Sequence, residues 1–165
     1  MGFSRRQLPT VLRVGILVLF SFGRTLTGGA VETPTADMLA AAERIASFLE
    51  TRDSARLAGA FVDRDVVIIE NFAPYLFTGP RAVPDWSARM RRHLDGVTRL
   101  RHKFGEAQNF ERTADVVFFT LPTLWTGLDH GKSFREAGGW AFVLVRQRGQ
   151  WRVRSYAWAV TSITD

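Results

Sequence analysis

The sequence predicts an α+β fold: helices first, then a curved antiparallel or mixed sheet. Three observations predict it. Leu39, Ala42, Ile45, Ala46 and Leu49 recur at helical spacing. A single short β-branched run, Asp65–Ile69, separates that segment from a second helical one. After Gly96 the apolar period changes from helical to two. Helices gathered before a run of hairpin-linked strands pack on one side of an antiparallel sheet.

Taken in order, residues 31–35 read as a linker into the first and longest helix, with Thr33 suited to cap it and Pro34 to its first turn. Asp53 is placed to cap a second, short helix running to about Phe61. "DVVII" is the first strand, and the segment after it is turn-rich, with Pro74, Gly79, Pro80 and Pro84. A third helix, again short, follows over about Arg81–Leu94, burying Trp86, Met90 and His93 or Leu94. Four strands complete the chain, near 97–107, 113–125, 133–146 and 150–161. The turns between them fall at "NFER", "GLDHG" and "RQRGQ". Pro122 costs a ladder bond, so a bulge or an edge is expected there.

Residues 1–30 stand apart. Arg5, Arg6 and Arg13 precede or open the apolar run "VGILVLFSF", and small Gly28 and Ala30 follow it. That is the order of a cleaved secretory signal. The run is far short of the roughly twenty residues that span a bilayer. "SRRQL" also resembles a twin-arginine signal, so the periplasm or the medium is expected, by either route. The domain then occupies residues 36–165.

The chain carries 22 basic and 16 acidic residues, a formal charge of +6. Removing residues 1–30 takes away four arginines and no acid, which leaves a net charge of +2. A nearly balanced surface gives little reason to bind nucleic acid. The cluster Arg89, Arg91, Arg92, Arg99, Arg101 and Lys103 reads first as solvated helix and strand faces. There is no cysteine, hence no disulfide and no thiolate site. His93, His102 and His130 show no ligand spacing, and no nucleophile elbow surrounds a serine, so no metal or cofactor is expected.

Two strands do not alternate. "VVFFTLPTLW" and "WAFVLV" are apolar on both faces. A sheet with one wet face alternates, so the second face needs cover, and a homodimer through the outer face is expected.

The order helix, helix, strand, helix and four strands carries "FVDRDVVIIE" before "GPRAVPDW" and a closing "WRVRSYAWA". It resembles the nuclear transport factor 2-like superfamily, and within it the exported SnoaL-like proteins related to ketosteroid isomerases. The similarity covers about residues 36–162. It implies a cone: a curved sheet wraps the long N-terminal helix, two shorter helices complete it, and one cavity opens at the wide end. The superfamily includes isomerases, hydratases, cyclases and plain binding modules, so the fold leaves function open.

Alternation sorts the polar groups that could face such a cavity. His102 shares a face with Leu100 and Phe104, opposite Arg99, Arg101 and Lys103. Glu136 shares a face with Phe134, Trp140, Phe142 and Leu144, and Glu70 follows Val66 and Ile68. A carboxyl among apolar groups is harder to ionise and suits acid–base work near neutral pH. Glu70, His102 and Glu136 are therefore the catalytic candidates. Each also has a plain reading: an arginine pair for Glu70, a solvated hairpin for Glu136, a hydrogen-bonded wall for His102. The resemblance to ketosteroid isomerases implies that Glu70 matches their catalytic aspartate. Their oxyanion-binding tyrosine has no counterpart on the first helix, where Phe48 is the aromatic.

Tyr75, Trp86, Phe104, Trp125, Trp140, Tyr156 and Trp158 are the ligand-binding candidates, suited to a small apolar or aromatic molecule. Strict alternation from Trp151 and Val153 turns Tyr156 and Trp158 to the outer face; a bulge reverses that. Three functions stay open: a small-molecule binder, an acid–base enzyme using Glu70, and a protein-interaction module.

Overall fold

A computed structural model of the chain describes residues 32–164. The expected signal in residues 1–30 lies outside them. Helix α1 spans Ala36–Thr51 and α2 spans Ala82–His93. The strands are β1 (Val67–Ile69), β2 (Leu76–Phe77), β3 (Val97–Phe104), β4 (Gln108–Thr113), β5 (Val116–Asp129), β6 (Lys132–Gln147) and β7 (Gln150–Thr164).

Five small or aliphatic residues let α1 lie close to the sheet: Ala41, Ala42, Ile45 and Ala46 are fully covered, and Leu49 nearly so. The cap is Thr35 rather than Thr33, and its hydroxyl bonds Asp37 instead of a backbone amide. The helix ends at Arg52, in the left-handed region at φ 59°. From there the Arg52 guanidinium reaches Leu94 O at 3.0 Å and also Val97 O, tying the end of α1 to the α2–β3 connection. Asp53 does cap a turn, accepting from Ala55 N at 2.9 Å, but the helix is a single 3-10 turn, Ser54–Leu57. Phe61 is instead an extended bridge to Val153.

The sheet runs β2-β1-β7-β6-β5-β3, with β4 also on β5. All pairs are antiparallel except β1–β7. Two-residue turns at His130–Gly131 and Arg148–Gly149 have φ between 48° and 85°, the twist that long hairpins prefer. "NFER" is not a turn. It forms most of β4, and the chain reverses at Ala114–Asp115. Only Phe110 of that strand packs on the core, so its sequence shows no alternation.

Pro122 sits where the partner of β5 changes. β3 pairs with Thr123–Asp129 and β4 with Val116–Thr120. Pro122 O accepts from Gly105 N at 2.8 Å on that side. In an extended residue the amide nitrogen points the same way as the carbonyl, so the missing N–H falls in the break between strands. The ladder to β6 runs on unbroken through Pro122–Gly139.

Two bulges decide which way β7 faces. Leu144 pairs with Val153 but Val143 pairs with Ser155, so Arg154 is an extra residue. It turns Tyr156 and Trp158 to the same side as Trp151 and Val153, and all four are buried. Strict alternation is thereby overturned. A second shift, between Gly138–Val160 and Ala137–Ser162, leaves Thr161 over. The concave face then carries Val117, Phe119, Leu121 and Trp125 of β5 and Trp140, Phe142 and Leu144 of β6 against α1. No helix of the described residues is long and apolar enough to cross a membrane.

Candidate functional site

The concave face is filled at one end and hollow at the other. Phe48, Trp86, Phe119 and Phe142 fill the interior with no exposed surface to speak of. Beyond Trp140 a cavity of about 350 Å³ remains, a size that suits a small ligand. Leu49 of α1, Met90 and His93 of α2 and Leu94 just after it form one side of it. Leu100, Trp125, Phe134 and Trp140 form the sheet side, and Trp158 and Ile163 close it from β7. Asn71, Phe72, Val97, Asp129, Lys132 and Ser133 complete the lining.

Glu70 also lines this cavity, at 6% exposure. It follows β1, and Val66 and Ile68 anchor that segment in the core. β1 runs parallel to β7 with Ile68 beside Tyr156. That register delivers the Tyr156 hydroxyl to Glu70 Oε1 at 2.5 Å. From α2, Trp86 Nε1 donates to the same oxygen at 2.7 Å. No protein donor reaches Oε2 among the described residues, and it is not sealed off from the cavity.

Burial is the main influence on Glu70 and raises its pKa from 4.5 to about 7. The two hydrogen bonds oppose this by favouring the carboxylate, and the nearby charge of Glu136 adds to it. Tyr156, wholly buried beside that carboxyl, is pushed well above 10 and remains a donor. Glu136 shares the cavity. Burial raises its pKa, and the Trp158 indole partly offsets this by donating to Oε1 at 3.2 Å. His93 stacks on Phe72, with ring centroids 4.1 Å apart; burial, with Arg89 nearby, lowers its pKa.

Of the residues expected at the site, Glu70, Glu136, Trp125, Trp140 and Trp158 line one cavity. Trp86 and Tyr156 stand behind Glu70 as its donors. Three candidates lie elsewhere. His102 faces α1 rather than the cavity, its ring nitrogens 2.8 Å from Glu50 Oε1 and 3.1 Å from Glu43 Oε2, which makes it a strap between β3 and α1. Phe104 packs on His102 and Trp140. Tyr75 is 60% exposed, because the turn after β1 carries it outward at φ 69°. Asn71, Phe72, Met90 and Ile163 were not expected at the site. Ile163 reaches it only because of the second bulge of β7, and no sequence pattern marks that bulge.

The chemistry available is proton transfer. A carboxyl that titrates near neutrality, with one oxygen fixed and the other toward an apolar cavity, takes and returns a proton without large rearrangement. Among the described residues no group of three His, Cys, Asp or Glu side chains is placed to hold a metal ion.

No family model matches the chain, and no curated protein matches it. Solved structures do. A hexachlorocyclohexane dehydrochlorinase of Novosphingobium barchaimii is 17% identical, with a TM-score of 0.65 over 78% of this chain and 87% of that one. A ketosteroid isomerase-like protein of Erwinia carotovora atroseptica is 19% identical, with a TM-score of 0.61 over 77% of this chain and 95% of that one. The protein Aln2 of a Streptomyces species is also 19% identical, with a TM-score of 0.61 over 78% and 94%. Such identities establish the fold and no more: this chain shares with these proteins the cone-like α+β fold expected from its sequence, helices packed on one curved sheet.

Proposed function

We propose that the cavity binds a small, largely apolar molecule and that Glu70 moves a proton on it. The observation that carries this reading is the state of Glu70: buried, pushed up to about 7, held on Oε1 by Tyr156 and Trp86, with Oε2 left toward the cavity. As carboxylate it accepts a proton from a C–H or O–H of the ligand. As carboxylic acid it returns that proton to another atom, as an isomerase, hydratase or cyclase requires. A positioned acid–base group of this kind contributes about 10²–10⁴-fold in rate.

The test is deuterium incorporation. Small enolisable ketones are incubated with the protein in deuterium oxide and read by mass spectrometry. Exchange that Glu70→Gln abolishes, while ligand-induced quenching of tryptophan fluorescence persists, supports the reading. Binding without exchange in the wild-type protein sinks it in favour of a plain binding module. One observation favours that second reading. The buried tyrosine, Tyr156, is committed to Glu70, and α1 contributes only Leu49 to the cavity lining, with no donor for an oxyanion.

Two further expectations belong to the same proposal. Export rests on the order of charge, apolar run and small residues in residues 1–30, and N-terminal sequencing of the protein from its own cells tests it. A homodimer through the outer sheet face is supported by exposed Val116 and Phe118, at 44% and 36%, beside half-buried Ala141, Val143 and Val145. Sedimentation of Phe118→Lys tests it, a monomer being the expected result. A monomeric wild-type protein sinks it.

A further inference from the structure

The charges that line the cavity are unequal. Three carboxyls, Glu70, Glu136 and Asp129, face one ammonium, Lys132. Lys132 sits on the rim directly across the hairpin from Asp129. Asp129 also has His130 at 2.7 Å. Deeper in, neither Glu70 nor Glu136 has a basic partner within 4.0 Å among the described residues. Glu70 is 6% exposed and turned into the cavity, with no protein donor on Oε2. Buried carboxyls without a cation are costly unless they hold a proton or a ligand brings the charge.

The walls suit a ligand that does bring it. Trp125, Trp140 and Trp158 line the same hollow, with centroid spacings of 6.2 Å and 5.9 Å. Indole faces attract cations more strongly than any other side-chain ring. Trp158 is set beside Glu136 by a missing side chain. A Cβ on Gly138 would lie 2.5 Å from Trp158 Cη2, so glycine there lets the indole cross the β6 backbone. From that seat Nε1 donates to Glu136 at 3.2 Å.

We propose that the ligand of this cavity is an organic cation, an alkyl- or arylammonium whose charge lies between Glu136 and the indole walls. The inference rests on the reading that this cavity is the ligand site, and not on proton transfer by Glu70. A cationic centre bound there gives both inner carboxyls the opposite charge that the fold withholds.

The test compares two probes of nearly one shape, phenyltrimethylammonium and tert-butylbenzene, by quenching of tryptophan fluorescence at pH 8. The ammonium is expected to bind at least about tenfold more tightly. Glu136→Gln is expected to remove most of that preference and leave tert-butylbenzene binding unchanged, which also shows that the variant is folded. Equal or tighter binding of the neutral probe overturns the inference while leaving the cavity as a ligand site. A preference that survives Glu136→Gln overturns it too. If neither probe binds at millimolar concentration, the cavity reading itself fails.

Discussion

The Tyr156 hydroxyl donates to Glu70 Oε1 across 2.5 Å, a contact made by the parallel pairing of the shortest central strand with the last one. It has a definite electrostatic sign. The bond favours the carboxylate and so works against the burial that raises Glu70. Removing it with Tyr156→Phe leaves burial less opposed. The Glu70 titration midpoint should then move above 7, by on the order of one pH unit. Carbon-13 NMR of the labelled carboxyl reads it directly. A downward shift would mean that the hydroxyl holds the neutral acid instead.

Glu70 also makes stability depend on pH. Its pKa is 4.5 when unfolded and about 7 when folded. Below 4.5 both states hold the proton and nothing is lost. Between 4.5 and 7 the unfolded chain releases its proton while the folded one keeps it, and folding weakens. The loss is complete above about 7 and amounts to roughly 3 kcal/mol. Glu70→Gln lacks this step. Urea unfolding of both proteins at several pH values should show the wild type losing ground to the variant between 4.5 and 7, then running parallel to it. A difference that stays constant across that window would exclude a raised Glu70.

The part of this site that the sequence reveals is the part that strict periodicity governs. Val66, Ile68 and Glu70 alternate through β1 and the residues flanking it, with no bulge between them, so Glu70 could be placed. Phe134, Glu136 and Trp140 alternate on β6, whose glycines do not shift them relative to one another. β7 breaks the rule twice, and a bulge has no hydrophobic signature. Alternation alone therefore turned Tyr156 and Trp158 outward, away from the carboxyls they hold. His102 shows the converse. Its apolar face was legible, but the two acids that claim it lie on α1, at sequence separations of 52 and 59 residues. No local pattern reports such a pairing.

Neighbouring glycines on β6 should respond in opposite ways. A Cβ on Gly138 meets Trp158 and the Ala159 carbonyl at 2.5 Å, and the carbonyl is backbone that cannot swing aside. A Cβ on Gly139 meets nothing within 4 Å. Gly138→Ala should cost about 1–3 kcal/mol by overpacking. It should also change the Trp158 fluorescence and weaken ligand binding as Glu136 loses its donor. Gly139→Ala should be neutral or slightly stabilising, since alanine narrows the unfolded ensemble. Chemical denaturation of the pair checks this. Equal effects would mean that Trp158 is not seated on Gly138.

The bulge at Arg154 gives the sharpest contrast. Arg154 is exposed and its own side chain makes no hydrogen bond or ion pair among the described residues, so Arg154→Ala should change stability by less than about 0.5 kcal/mol. Deleting Arg154 should also be tolerated. It is the unpaired residue between Val153 and Ser155, so its loss leaves a regular ladder with Tyr156 and Trp158 still on the inner face. Inserting one alanine between Ser155 and Tyr156 is a different matter. Side chains alternate along a strand, so one added position exchanges the two faces of everything beyond it. Tyr156 and Trp158 would turn outward, and Glu70 would lose its hydroxyl donor and Glu136 its indole. The insertion should abolish the cooperative unfolding transition and shift tryptophan emission to the red, while the deletion keeps both. A deletion variant that loses the transition and shifts to the red would show that the inward register of the last strand depends on more than the surplus residue.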